Sequence, residues 1–225
     1  MNSHFLRALF FLLIVRPVVL VVIGLNLRRR ELLPSDGPAL VVANHNSHLD
    51  ALVLMSLFPI RKLRRVRPVA AADFYMVGGW KEWFALQIIG ILPLKRDVRR
   101  RGPVEPGGPR RRRADPLAGI VESLDRSEIV ILFPEGTRGE PEEPTKLKPG
   151  VAHLVKRRPN VPVTPVFMHG LGKALPAGEA LLVPFFCDVY IGEPFRWGGD
   201  RAAFIDDLSG RMQSLAEELG RPAWR

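Results

Sequence analysis

Residues 38–55 read PALVVANHNSHLDALVLM, and this order of apolar and polar residues indicates a strand, a short polar turn and a helix. The run from Pro38 to Ala43 is apolar throughout, as in strands that are buried on both faces. In open α/β folds, ligands bind outside the carboxyl ends of the strands. His45 follows this strand directly, so its imidazole is predicted to lie where a ligand would bind.

The segment from Ser47 to Asp50 fits a capping box, in which Ser47 caps the new helix and Asp50 lies in its first turn. From that position, Asp50 can also turn back towards the ring of His45. A carboxylate on one ring nitrogen fixes the tautomer, so that the other nitrogen can take a proton from a substrate hydroxyl. Two interpretations are open from this stretch alone. The residues form a catalytic dyad, or Asp50 only caps the helix while His45 only bonds the backbone.

A second motif follows another strand-like run. Residues 129–132 read IVIL and residues 133–138 read FPEGTR. The combination of Pro134, Glu135, Gly136 and Thr137 is typical of a turn. Arg138, which follows it, carries a planar guanidinium group suited to binding a phosphate.

With both motifs in view, the chain resembles the glycerophospholipid acyltransferase family, which includes the acyltransferases that convert lysophosphatidate to phosphatidate. Four blocks carry the resemblance, in the family's order: Asn44-His45 with Asp50, Gly90 to Arg96, Phe133 to Arg138, and Val161 to Val166. The resemblance implies an α/β fold with a central mixed, largely parallel sheet flanked by helices. It also implies a membrane-associated enzyme that moves a fatty acyl group from an acyl thioester to the free hydroxyl of lysophosphatidate.

The resemblance implies roles for individual residues. His45 and Asp50 become the catalytic pair, and Arg96 becomes the cation that binds the phosphate of the acyl acceptor, together with Arg138. Four residues of the third block are implied at the substrate: Glu135, Gly136, Thr137 and Arg138. Leu147 stands where the family commonly has an aromatic residue, which leaves the shape of that loop open.

Length and charge agree with one enzyme domain beside a membrane. The chain has 225 residues and a formal net charge of +10, which implies an anionic partner such as nucleic acid, acidic lipid or a phosphorylated substrate. We assign residues 1–31 to an N-terminal membrane-associating helical segment and residues 32–225 to the acyltransferase domain. The single Cys187 excludes an internal disulfide and is expected to pack in the core.

The N-terminal segment holds two apolar pieces, residues 5–15 and 18–27, which are separated by Arg16-Pro17 and followed by an arginine triplet at 28–30. Each piece is shorter than the roughly 20 apolar residues that cross a bilayer. One continuous span would place Arg16 near mid-bilayer, at a cost of about 2.5–3.5 kcal/mol. Two short helices that dip into one leaflet are therefore expected. The arginine triplet favours the cytoplasmic face of the membrane.

Structure or contacts are predicted for five further stretches. Residues 61–67 form a basic connector, either solvated or in contact with anionic headgroups. Residues 73–87 are predicted to form a helix whose apolar face belongs to the core or lines an acyl-chain groove. Residues 97–115, rich in Arg, Gly and Pro, are expected to form a loop, either solvated or bound to acidic lipid or phosphate. Prolines in residues 161–168 suggest an edge strand or a bulge. Residues 201–219 are predicted to be an amphipathic closing helix.

The expected reaction is general-base catalysis without a covalent enzyme intermediate. Neither a cofactor nor a metal is expected beyond the thioester co-substrate, which is acyl-coenzyme A or acyl carrier protein. The absence of a Gly-x-Ser-x-Gly motif argues against a hydrolase. Two alternatives remain: the same chemistry on another lysophospholipid, an amino-acid-derived lipid or a glycolipid, and a non-catalytic protein that binds membranes. Nucleic-acid binding is not expected, because no known nucleic-acid module frames the arginine-rich loop.

Overall fold

The computed structural model describes residues 3–45, 47, 49–76, 78–94, 115–135, 147–171 and 186–219. The strands in these ranges are β1 (Leu25–Arg28), β2 (Ala39–Ala43), β3 (Val66–Ala71), β4 (Leu92–Leu94), β5 (Ile129–Leu132), β6 (Val163–His169) and β7 (Cys187–Ile191). They form a seven-stranded sheet in the order β1-β7-β6-β2-β5-β3-β4.

The sheet is mixed and largely parallel, as predicted. Neighbouring strands pair in parallel everywhere except between β6 and β7, so β1 and β7 run opposite to the other five strands. The carboxyl ends of β2, β3, β4, β5 and β6 therefore share one edge of the sheet. Since β2 lies between β5 and β6, the residues that follow β2 are flanked by the ends of both neighbours.

Helices cover both faces of the sheet. The α-helices are α1 (Ser3–Phe10), α2 (Asp50–Ser56), α3 (Ala72–Tyr75), α4 (Gly79–Trp83), α5 (Ala118–Asp125), α6 (Gly150–Arg157) and α7 (Arg201–Glu218). Short 3₁₀ helices span Arg30–Leu32 and Ile60–Arg65, and π-helical stretches span Phe11–Val15, Val18–Val22 and Phe84–Ile89. The predicted closing helix is confirmed as α7.

Two apolar cores lie on opposite faces of the sheet, and β2 contributes to both. Val41 and Ala43 belong to the core formed with α2 and the N-terminal helix, whereas Leu40 and Val42 belong to the core formed with α5, α6 and α7. All five residues of β2 are buried. This strand is apolar without alternation because neither of its faces meets water.

Of the two alternatives predicted for residues 161–168, the edge strand is wrong, because β6 lies inside the sheet between β2 and β7. The carbonyl of Pro165 accepts the amide of Gly192 at 2.8 Å. In a strand, the N–H and the C=O of one residue point to the same neighbour, so the missing N–H of Pro165 faces the point just beyond Ile191, where β7 ends. The proline thus removes no hydrogen bond from the interior of a ladder.

The N-terminal segment differs from the two short helices expected. Helical residues run without a break from 3 to 22, through Arg16 and Pro17, both of which have α-helical torsion angles. Every fourth residue is buried against the domain: Arg7, Phe11, Val15, Val19 and Ile23. On an ideal α-helix such a stripe would drift by about 40° at each step. The π-helical stretches have more residues per turn and keep the stripe on one side.

The opposite face of this helix is apolar and exposed. It presents Phe5, Leu9, Leu12, Leu13, Ile14, Leu20 and Val21 to the surroundings. By length and composition alone, Ser3–Val21 is long and apolar enough to cross a membrane, a test that a signal sequence near an N-terminus also passes.

Two other segments differ from expectation. Residues 25–28, predicted to belong to the N-terminal helical segment, form the edge strand β1 and pair with β7. The helix predicted for residues 73–87 is interrupted between α3 and α4, where Gly78 and Gly79 have φ angles of 79° and 68°. These positive φ angles suit glycine, and at the start of α4 they are incompatible with one continuous right-handed helix over residues 73–87.

Candidate active site

His45 and Asp50 meet at the carboxyl edge of the sheet. The Nδ1 atom of His45 lies 2.9 Å from Oδ2 of Asp50. Asp50, the first residue of α2, is fully buried, whereas the His45 side chain is 23% exposed. Because a carboxylate can only accept hydrogen bonds, Nδ1 carries the proton and the lone pair of Nε2 is left for a substrate group. The geometry is that of an oriented general base.

The predicted capping interaction is present in the same turn. Oδ2 of Asp50 accepts the backbone N–H of Ser47 at 2.8 Å, which is the reciprocal half of a capping box. The hydroxyl of Ser47 accepts the N–H of Leu49 at 3.3 Å. Asp50 therefore bonds both the backbone of this turn and His45. The interpretation in which Asp50 only caps does not hold, and the catalytic role of the pair stays a prediction.

Asn44 fixes the start of this turn to the neighbouring strand. Its side-chain amide donates to the carbonyl of Met168 at 2.8 Å, and its side-chain oxygen accepts the N–H of Met168 at 2.7 Å. Asn44 is buried. Its two side-chain bonds continue the pairing of β2 with β6 beyond Ala43, the last residue of β2. The side chain of Asn44 had no predicted role of its own. The sequence feature that could have indicated this role is a polar amide side chain directly after a fully apolar strand.

Phe133 forms one wall of the site. Its ring stacks on the ring of His45, with centroids 4.5 Å apart and planes inclined by 29°. This contact follows from the parallel pairing of β2 with β5, which places the residues after Leu132 beside those after Ala43. The stacking limits rotation of the imidazole, a role that was not predicted for Phe133 from the sequence. Glu135, predicted at the substrate, is buried two residues further along.

The remaining predicted site residues lie outside the described ranges: Arg96, Gly136, Thr137 and Arg138. Strands β4 and β5, which precede them, end at the same sheet edge as β2. Their roles at the substrate stay predictions. Within the described ranges, no three His, Cys, Asp or Glu side chains come together in the way that a metal ion requires.

Cys187 lies near the dyad, but its environment makes the thiol unreactive. Burial raises the pKa of its thiol, and the charges of Asp50 and Asp188 raise this pKa further. A thiol held in its neutral form is a poor nucleophile. The expected packing role of Cys187 agrees with this environment, since its side chain is part of the core beside α2.

Comparisons with known proteins agree with the geometry. The model of the acyltransferase family matches residues 24–169. A chloroplastic 1-acyl-sn-glycerol-3-phosphate acyltransferase from Arabidopsis thaliana is 31% identical over 179 residues, which cover 78% of this chain and 43% of the relative. The 1-acyl-sn-glycerol-3-phosphate acyltransferase alpha of Mus musculus is 28% identical over 216 residues, covering 92% of this chain and 69% of the relative.

Among solved structures, the crystal structure of the 1-acyl-sn-glycerophosphate acyltransferase from Thermotoga maritima superimposes with a TM-score of 0.70. The alignment covers 99% of this chain and 81% of that chain, at 18% sequence identity. The similarity supports the fold. The chain spans less than half the length of the chloroplastic relatives that it matches.

Proposed function

The chain belongs to the acyltransferase family, and from this membership we propose that it transfers a fatty acyl group from an acyl thioester to the free hydroxyl of lysophosphatidate, giving phosphatidate. The single observation that carries the proposal is the contact of 2.9 Å between His45 Nδ1 and Asp50 Oδ2 at the carboxyl edge of the sheet. The names of the chloroplastic and mammalian relatives support the choice of acceptor.

The proposed reaction assigns the proton transfers to His45. Its Nε2 takes the proton of the acceptor hydroxyl while that oxygen attacks the thioester carbonyl. The buried carboxylate of Asp50 stabilises the imidazolium that forms and keeps the ring oriented. The tetrahedral intermediate then collapses, the carbon–sulfur bond breaks, and the proton passes to the leaving thiolate. No acyl-enzyme is formed, and the thioester is the only activated group required.

Phosphate recognition is assigned to Arg96 and Arg138. Thr137 reaches towards the ligand beside Arg138, Glu135 organises the groups near the acceptor phosphate, and Gly136 belongs to the same substrate-binding turn. Guanidinium groups bind phosphate oxygens in pairs, which holds the acceptor hydroxyl in one orientation. Such positioning supplies a large part of the rate acceleration of a bimolecular reaction.

We also propose that the protein lies on a membrane, at its cytoplasmic face. The exposed apolar side of the N-terminal helix supports this, because a contiguous apolar surface of this size is unfavourable in water. The opposite side of the same helix packs on the domain, and Arg16 on that side donates to the carbonyl of Phe58 at 2.9 Å. A helix bound along its length to the domain favours a position in one leaflet over a span.

The test is a panel of acceptors given to the purified, detergent-held protein with labelled oleoyl-coenzyme A. Lysophosphatidate is expected to be acylated, and a monoacylglycerol with the same chain, which lacks only the phosphate, is expected to react far more slowly. Preferential acylation of another lysophospholipid or of a glycolipid would instead identify that lipid as the acceptor. Repeating the panel with an acyl carrier protein thioester identifies the donor.

A further inference from the structure

Arginines of the N-terminal segment donate hydrogen bonds to main-chain carbonyls of the catalytic domain. Arg7 reaches Val66 at 2.6 Å, Arg16 reaches Phe58 at 2.9 Å, Arg29 reaches Ile191 at 2.8 Å, and Arg30 reaches Leu57 at 3.0 Å. Part of the arginine triplet, which was expected to favour the cytoplasmic face of the membrane, is thus engaged with the protein itself. The segment is held by directional bonds in addition to its apolar stripe.

Two of these bonds end at one place, the carboxyl end of α2. Leu57 and Phe58 directly follow this helix, and both are buried. The last carbonyls of a helix have no partner within the helix and carry its partial negative charge. Arg16 and Arg30 supply hydrogen-bond donors and positive charge at that end, as basic side chains do at helix carboxyl ends.

The other end of α2 is the catalytic end. The helix has seven residues, and its first residue is Asp50. At about 1.5 Å per residue, the two ends lie roughly 10 Å apart. So short a helix has few internal hydrogen bonds, and fraying at one end reaches the other within one further turn. Helix Phe11–Val15 also packs on α2, which joins the same two parts of the chain.

We propose that Arg16 and Arg30 are positioning residues for the His45–Asp50 dyad. They hold the carboxyl end of α2, so the orientation of the Asp50 carboxylate depends on the N-terminal segment being seated on the domain. That segment is thereby part of the active-site scaffold, besides its proposed place at the membrane. The kinetic consequence rests on the proposed acyltransferase function, whereas the structural consequence does not.

The backbone amide of Ser47 reports directly on this arrangement, because it donates to Oδ2 of Asp50 at 2.8 Å. Hydrogen–deuterium exchange of this amide is measured in the full-length, detergent-held protein. In the double variant Arg16→Leu/Arg30→Leu, the exchange is expected to be about tenfold faster, as the loss of two hydrogen bonds would give. The pair Arg16→Lys/Arg30→Lys keeps a donor and a charge at each position and is expected to restore most of the protection.

Arg29→Leu is the matched control. Arg29 belongs to the same segment and also donates to a carbonyl, but its target is Ile191, the last residue of β7, and it pairs with Glu218. This variant is expected to leave the exchange of the Ser47 amide unchanged. In the acylation assay, the double leucine variant is expected to lose about tenfold in kcat with KM within about twofold, and the lysine pair is expected to recover most of kcat.

Unchanged Ser47 exchange in the double leucine variant would overturn the proposal, and so would equal acceleration in Arg29→Leu, which would indicate general loosening of the segment. If the double leucine variant does not fold, the single variants Arg16→Leu and Arg30→Leu decide: each is expected to show measurably faster Ser47 exchange than the wild type, and unchanged exchange in both would overturn the proposal. A wild-type protein with no acyltransferase activity would count against the proposed function, while the exchange experiment would still test the clamp on α2.

Discussion

The side chain of Asn44 forms a two-way hydrogen-bonded pair with the main chain of Met168, donating at 2.8 Å and accepting at 2.7 Å. Through it, the turn that carries His45 is tied to the end of β6. The geometry of the predicted dyad therefore depends on a side chain whose two hydrogen bonds go to the main chain of β6. This relationship makes Asn44 a test of how the site is supported.

Replacing Asn44 by alanine leaves the buried N–H and C=O of Met168 without these partners. We expect Asn44→Ala to lower the free energy of unfolding by about 2–4 kcal/mol, measured by urea denaturation. The control is Asn26→Ala, since the Asn26 amide donates to the Asp188 carboxylate at an exposed position. That change is expected to cost about 0.5 kcal/mol. Equal losses in the two variants would contradict the role given to Asn44.

Phe133→Leu tests the stacking wall beside His45. Leucine keeps the apolar bulk but removes the ring-on-ring contact, which contributes about 0.5–1.5 kcal/mol. If the contact orients the imidazole, kcat is expected to fall between about twofold and tenfold. Phe195→Leu is the control, because Phe195 stacks on Phe204 with centroids 5.3 Å apart in the core on the α7 side of the sheet. A loss of kcat no larger than in that control would show that Phe133 only fills space.

Glu128 is expected to make stability depend on pH. Burial alone would raise the pKa of Glu128, but the hydrogen bond from Ser123 and the charge of Arg67 outweigh burial and hold this pKa below its ordinary value. Its contribution is then present above the pKa of the unfolded state and is lost as the pH falls through the folded-state pKa.

The corresponding variant is Glu128→Gln, compared with Glu122→Gln at an exposed position of α5. At pH 7, Glu128→Gln is expected to lower the free energy of unfolding by about 1–3 kcal/mol. The difference from the wild type should begin to shrink as the pH falls below about 4.3, the ordinary pKa of Glu. It should shrink further as the pH falls through the lowered folded-state pKa, where Glu128 becomes neutral like glutamine. A difference that stays constant with pH would contradict the electrostatic origin.

Membrane attachment is expected to be apolar rather than purely electrostatic. The protein should remain bound to anionic vesicles in about 1 M salt, where the Debye length is about 3 Å. Leu13→Ser with Leu20→Ser, two exposed positions of the N-terminal helix, should release it. Arg61→Ser, in the basic connector, serves as the control for charge. Release by salt alone, or by Arg61→Ser as readily as by the serine pair, would contradict attachment through the helix.

The part of the site that the sequence predicts well is the part formed by neighbouring residues. His45 and Asp50 lie within one strand-turn-helix unit, so their spacing alone brings them together. The largely parallel sheet was likewise expected, as what the resemblance to the acyltransferase family implies. The fully apolar run before Asn44 indicated a strand buried on both faces, as β2 is.

What the sequence did not predict depends on contacts between distant residues. Met168 and Asn44 are brought together only by the pairing of β2 with β6, and nothing local indicates that β6 is an interior strand despite its prolines. From the sequence, Arg16 could be interpreted only through the free-energy cost of placing its charge in a bilayer. Its hydrogen bond to the carbonyl of Phe58 depends on tertiary packing. Residues 25–28 form a strand because β7 offers an edge to pair with, not because of their own composition.

The most direct test of the central claim is the rate of acyl transfer from oleoyl-coenzyme A to lysophosphatidate by the wild type and by His45→Ala. His153→Ala, which changes an exposed histidine on α6, is the matched control. We expect His45→Ala to lose at least about 10²-fold in kcat while the control keeps the wild-type rate, as removal of a general base requires. A folded His45→Ala protein that acylates lysophosphatidate at the wild-type rate would contradict the account.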